Sequence, residues 1–175
     1  MQIDDMNRPS AWAASSIELA AVTEFYGDRR AERSGIAYIN HIGEGLAILD
    51  AIGASRTAAL AFCLHPLAQS DDVLADLDPT LASSPEVLVA VMEYCNVANR
   101  FLSHHIGRSP RLSPLPAVNE MLVADKVQNR KDFEAEAERT GVRRPALETY
   151  FASWLDVLGV SQQRYEQLAS AITAG

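Results

Sequence analysis

The chain has 175 residues, 48% of them apolar, and a net charge of −8. That length reads most simply as one domain, residues 1–175, with room for a sizeable core. The acidity argues against binding along duplex DNA or an anionic membrane, since both need Lys and Arg set against phosphates. The longest apolar run, Ala58 to Leu64, falls far short of the roughly 20 residues of a membrane span. The opening Met1-Gln2-Ile3-Asp4-Asp5 carries acids where a secretory signal carries a basic region, so the expected location is cytoplasmic.

Taken in order, the segments read as helix after helix, with no period-2 strand and no Asn-Gly or Asp-Gly hairpin. Pro9-Ser10 opens a helix that runs to Tyr26 and stops at Gly27. The charged stretch Asp28 to Gly35 reads as a loop. A second helix covers Tyr38 to Ile52, with Ile42, Leu46 and Leu49 on one face and Gly53 at its end. Ser55 caps a third helix to Leu64, and Pro66 predicts a break near His65. Asp71 to Leu81 reads as an acidic loop with at most one helical turn. Ser84-Pro85-Glu86 is an N-cap, a proline at the first turn and an acid there, starting a helix that reaches His104. Gly107 to Pro116 holds three prolines and reads as a loop. Three further helices follow: Pro116 to Arg139, Pro145 to Leu158 and Ser161 to Thr173. The expected architecture is all-α, a compact domain of about seven helices.

Cys63 and Cys95 sit among apolar neighbours and outside any Cys-x-x-Cys pair, which predicts buried reduced thiols rather than a disulfide or a zinc knuckle. No P-loop, dinucleotide-binding glycine motif, Gly-x-Ser-x-Gly or His-Glu-x-x-His occurs, which disfavours Walker-type ATP hydrolysis, Rossmann cofactors and serine-hydrolase chemistry. What remains is a set of titratable residues at helix positions. His41 lies near the start of the second helix and His65 at the end of the third. Asp125 lies mid-helix beside Met121, Leu122 and Val123, where a buried carboxylate needs a partner. Two imidazoles and a carboxylate suit a divalent ion: Mn, Fe, Co, Ni or Zn. Asn129, four residues after Asp125, falls on the same helical face.

The segment Arg33-Ser34-Gly35 with Tyr38-Ile39 and His41, then Gly45 and Ile48-Leu49, resembles the first motif of the Rel/SpoT-type alarmone hydrolases of the HD superfamily of metal-dependent phosphohydrolases. Ala61-Phe62-Cys63-Leu64-His65 resembles the apolar lead-in to that family's His-Asp dyad. Leu122-Val123-Ala124-Asp125-Lys126-Val127-Gln128-Asn129-Arg130 resembles its Leu-Ala-Asp-Arg-x-His-Asn segment. The likeness spans Asp28 to Asp132, and the chain is also similar in general type to phage-encoded proteins. It implies an HD-like fold, a metal (Mn first) on His41, His65 and Asp125, and a nucleotide or (p)ppGpp-like alarmone held by Arg33 and Asn129, with Tyr38 shaping the pocket.

The departures from that pattern fall on the catalytic apparatus. Pro66 stands where the family's dyad has a ligating aspartate. Gln69 and Ser70 stand where a Glu-Asp pair handles the attacking water, and a glutamine cannot act as a general base. Asp71 and Asp72 are the nearby acids, with Asp72 the candidate to assist water. The expected function is therefore a metal-dependent nucleotide phosphohydrolase, with a degenerate relative that binds a nucleotide or protein, or serves a structural role, without turnover as the alternative.

Two further groups read either way. Glu93, Asn96 and Arg100 share a face of the Pro85 helix, as an internal hydrogen-bonded stripe or as a pocket wall with Arg100 on a phosphate. Lys126, Arg130 and Lys131 are candidate phosphate contacts or a solvated run. His104-His105 reads as a basic pair at a helix C-terminus. Tyr150, Phe151, Trp154, Leu155 and Leu158 predict a helix face packed on the domain, with homo-oligomer formation as the alternative.

Overall fold

The computed structural model describes residues 8–32, 35–100 and 109–173, with the side chains of Asp71, Asn99, Arg100 and Thr173 outside the description. Its described part is all-helical. The helices are α1 (Pro9–Ala13), α2 (Ile17–Tyr26), α3 (Ile39–Ile52), α4 (Arg56–Leu64), α5 (Asp71–Ala75), α6 (Pro85–Arg100), α7 (Pro116–Thr140), α8 (Pro145–Val157) and α9 (Gln162–Thr173). Short 3-10 turns cover His65–Ala68 and Pro79–Leu81. A lone antiparallel bridge joins Arg30 to Ala37 and closes the loop before α3.

One of these boundaries corrects the sequence reading. The helix expected from Ser10 to Tyr26 is split, because Ser16 takes an extended backbone and its hydroxyl accepts from the Leu19 N–H. The cap satisfies a backbone donor that would otherwise be orphaned at the helix start, and so ends α1 and begins α2. The acidic stretch after Ser70 holds little more than the one helical turn expected there, the five-residue α5. The other starts and stops follow their residues. Ser55 caps α4 through the Ala58 N–H, and Gly53 and Gly141 end α3 and α7 with φ near +66° and +70°, a conformation that suits glycine.

α4 organises the core. After Arg56 and Thr57 its residues are small or apolar, and Ala58 through Leu64 are all 3% exposed or less. A helix that is apolar all round must be enclosed, and α4 touches α1, α2, α3, α6 and α7. Gly45 lets α3 approach it: a Cβ there would lie 2.0 Å from the Phe62 ring. Polar clamps fix the outer helices. Asp50 accepts from the N–H and hydroxyl of Ser10 at 2.9 and 2.5 Å, and Glu120 on α7 accepts from both donors of Ser55. This packing brings the first turn of α3, the end of α4 and the middle of α7 to one place.

The aromatic face of α8 packs inward. Phe151, Trp154 and Leu155 are buried and Tyr150 and Leu158 lie partly buried against the core. Cys63 and Cys95 are free and buried, and burial pushes the Cys63 thiol up to about 12. No described helix is long and apolar enough to cross a membrane.

Candidate metal centre and cleft

His41, His65 and Asp125 meet, each offering one ligand atom within 4.8 Å of the others. His41 Nε2 lies 3.4 Å from His65 Nε2 and 3.8 Å from Asp125 Oδ1. His65 is 1% exposed and Asp125 3%. The imidazole tautomers follow from the partners of the other ring nitrogens. Gln128 directs its amide nitrogen to Glu44 at 3.0 Å and Asp132 at 2.6 Å. Its Oε1 therefore faces His41 Nδ1 at 2.8 Å, and His41 must donate that proton. His65 Nδ1 lies 2.6 Å from the Phe62 carbonyl and likewise donates. With one proton each, the two rings would present Nε2 lone pairs to one another across 3.4 Å.

A proton on His41 Nε2 or a metal ion between the two nitrogens would each satisfy that arrangement. A proton on His65 is disfavoured, since burial and then the neighbouring His41 push its imidazole down to about 3. A zinc ion bound by two imidazoles at about 2.0–2.1 Å in tetrahedral geometry spaces their nitrogens by about 3.4 Å, which the imidazole pair matches, while the set with Asp125 is wider, within 4.8 Å. Hydrogen bonding of the outer ring nitrogens to an amide and a carbonyl is also how metal-bound histidines are oriented.

Asp125 has further partners. Lys126 Nζ lies 2.6 Å from Oδ2, and Asn129 donates to Oδ1 at 2.7 Å. Tyr94 also hydrogen-bonds the carboxylate. Burial pushes the Asp125 carboxyl up, but Lys126, His41 and His65 together outweigh it and hold the group at about 2, so it is ionised at neutral pH.

A cleft of about 1020 Å³ opens beside this centre, walled by Tyr38, Gln69, Tyr94, Asp125, Lys126, Asn129 and residues of α7 and α8. A neighbouring depression of about 630 Å³ shares Tyr38, Gln69, Asp125 and Asn129 with it and reaches His41, Glu44 and Pro66. Asp125, Asn129, Asp132, Glu136 and Arg139 all line the larger cleft at helical spacing along one face of α7, about 21 Å from end to end. Tyr150, Phe151 and Phe133 supply an apolar, aromatic side, and Arg139 and Arg144 lie at the far end.

The sequence candidates distribute unevenly over this site. Tyr38 is 42% exposed at the mouth and stacks on Tyr26. Gln69 lines both depressions; Asp72 is exposed on α5 and lines neither. The acids beside the centre are instead Glu44 and Asp132, tied to His41 through Gln128, and no motif singled them out. Gln128 itself is 3% exposed; its spacing of three from Asp125 on a helix was the signal that it faces the same site. Arg33 lies outside the described residues, as do the side chain of Arg100 and the pair His104-His105. On α6, Glu93 is half-buried and accepts from the exposed Asn96 at 3.0 Å and from the Ser113 hydroxyl at 3.1 Å, and neither Glu93 nor Asn96 lines the cleft. Lys126, Arg130 and Lys131 do not form a solvated run. Lys126 is buried on Asp125, Arg130 pairs with Glu134 and lies over Tyr165, and Lys131 pairs with Glu44 and Asp132. Comparisons with protein-family models, curated proteins and solved structures return no match for this chain.

Proposed function

We propose that the chain is a metal-dependent phosphohydrolase of the HD type, acting in the cytoplasm on a nucleotide or (p)ppGpp-like alarmone. The observation that carries this reading is the pair of inward-facing Nε2 atoms beside an ionised, buried carboxylate at the edge of a nucleotide-sized cleft. His41, His65 and Asp125 would hold the ion, with Mn²⁺ the first candidate and Fe, Co, Ni or Zn the others. When bound, the ion polarises a phosphoryl oxygen and lowers the pKa of its water.

The chain's own residues supply the rest. Gln128 and the Phe62 carbonyl fix the two imidazoles with Nε2 inward. Asn129 and Lys126 fix the Asp125 carboxylate. Tyr38, Tyr150 and Phe151 offer flat apolar surface to a base. Glu44 and Asp132 are the acids that line the depression with His41, both of them bound by Gln128 and Lys131; Gln69 can orient a water but not deprotonate it. The larger cleft wall holds four acids, Glu32, Asp125, Asp132 and Glu136, against Lys126, Arg139 and Arg144. A phosphate entering that wall needs added positive charge, which is a further reason to tie phosphate recognition to an ion.

Pro66 favours a second reading, binding without turnover. It lines the depression by His41 where an acidic side chain would complete the ligand set. The discriminating experiment incubates the purified protein with Mn²⁺ and a mixed pool of nucleotides and alarmones, beside His65→Ala, and follows every species by mass spectrometry. Loss of one species in the wild type alone establishes hydrolysis and names the substrate. Retention of a bound species without loss assigns the binding role, and neither outcome in any species overturns both.

A further inference from the structure

Lys126 sits where no surface lysine would. Its residue is 5% exposed, its Nζ is 2.6 Å from Asp125 Oδ2, and it lies 5.5 Å from the Tyr150 ring centre and 5.4 Å from that of Trp154. A hydrogen bond to Tyr150 holds it on the side of the carboxylate away from His41. Two cations are thus offered to one carboxylate: a metal on the Oδ1 side with the imidazoles, and the ammonium on Oδ2.

Counting charge shows the consequence. The Lys126 ammonium already neutralises the Asp125 carboxylate, and the nearby acids Glu44 and Asp132 are shared with Lys131 and reach His41 only through Gln128. A divalent ion on the imidazoles would then meet a carboxylate whose charge is already paired. An acid at position 66 would offset part of the ion's charge, and Pro66 does not. Like charges this close in a buried site repel strongly, so the metal alone binds against Lys126. An anion that reaches the ion from the cleft, on whose wall Lys126 lies, offsets that repulsion and contacts both cations.

Resting on the metal reading above, we propose that Lys126 is a specificity-determining residue that opposes binding of a bare divalent ion and makes metal and phosphate bind together. The two ligands must then raise each other's affinity by the same factor, since coupling is reciprocal. The test is calorimetric titration of Mn²⁺ into chelator-treated protein, with and without inorganic phosphate, for wild type, Lys126→Met and Lys126→Arg. In the wild type, phosphate should tighten Mn²⁺ binding by about tenfold. Lys126→Met should bind Mn²⁺ about tenfold tighter than wild type without phosphate and lose most of the phosphate effect; Lys126→Arg should keep it. Because Lys126→Met leaves Asp125 unpaired without metal, its melting temperature should also rise more with Mn²⁺ than that of the wild type.

Equal Mn²⁺ affinity and equal phosphate effect in wild type and Lys126→Met would overturn the proposal while leaving the metal site standing. Metal binding by Lys126→Met alone, with none in the wild type even with phosphate present, would overturn joint binding of metal and phosphate. Absence of Mn²⁺ binding in every variant would overturn it together with the metal reading.

Discussion

Gln128 shows how one side chain can decide what its neighbours do. Its amide nitrogen serves two carboxylates, so its oxygen must take the His41 Nδ1 proton, and that turns Nε2 toward His65. Gln128→Leu keeps the volume and removes the acceptor, freeing His41 to swap tautomer or turn. The expected result is a loss of metal affinity of about tenfold or more, read by competition with a chelator of known strength. Unchanged affinity would mean that packing alone orients His41. The bringing together of His41, His65, Asp125 and Asn129 was suggested by short motifs, whereas the orienting layer was not. Gln128, Glu44 and Asp132 come from two helices far apart in sequence, and only the α3–α7 packing makes them one network. Lys126 was hidden for a similar reason: beside an acid in a charged-looking run it reads as solvated, until α8 supplies Tyr150 and Trp154 to enclose it.

The element on which the centre depends is α4, and its register is transmitted by the contact of Gly45 with Phe62. The Phe62 ring lies 5.4 Å from His41 and 4.8 Å from His65, centre to centre, and its carbonyl holds His65 Nδ1. Gly45→Ala places a methyl group into that ring, which is fully buried and cannot swing away. We expect about 1–3 kcal/mol of destabilisation, measured by urea denaturation, together with weakened metal binding as the imidazoles move apart. A variant as stable as wild type would show that α3 can shift outward without cost. Helix positions were largely legible because their stops are chemical: Gly53, Gly141, Pro85, Pro116 and Pro145 each act locally. The break between α1 and α2 was not, since Ser16 is an ordinary helical residue unless its hydroxyl turns back to the Leu19 N–H. The length of α6 beyond Arg100 falls on residues outside the description.

At the scale of the molecule, the centre links folding to pH. His65 is neutral in the fold with its imidazole pushed to about 3, against 6.5 for the ordinary group. Between those values the unfolded chain binds a proton that the folded chain refuses, so acid favours unfolding. The metal-free protein should therefore hold its stability above about pH 6.5 and lose it progressively toward pH 3, with Asp125 adding to the loss below its ordinary 3.8. His65→Leu should flatten the upper part of that fall in a pH series of thermal melts; an unaltered slope would place the buried proton acceptor elsewhere. Everything in the functional account rests on the cluster being a metal site rather than a polar knot in the core. The most direct test is calorimetric titration of Mn²⁺ and Zn²⁺, in phosphate-containing buffer, into chelator-treated wild type and His65→Ala. The account predicts one ion per chain in the wild type and none at that affinity in the variant. No binding by the wild type, or equal binding by both, would contradict it.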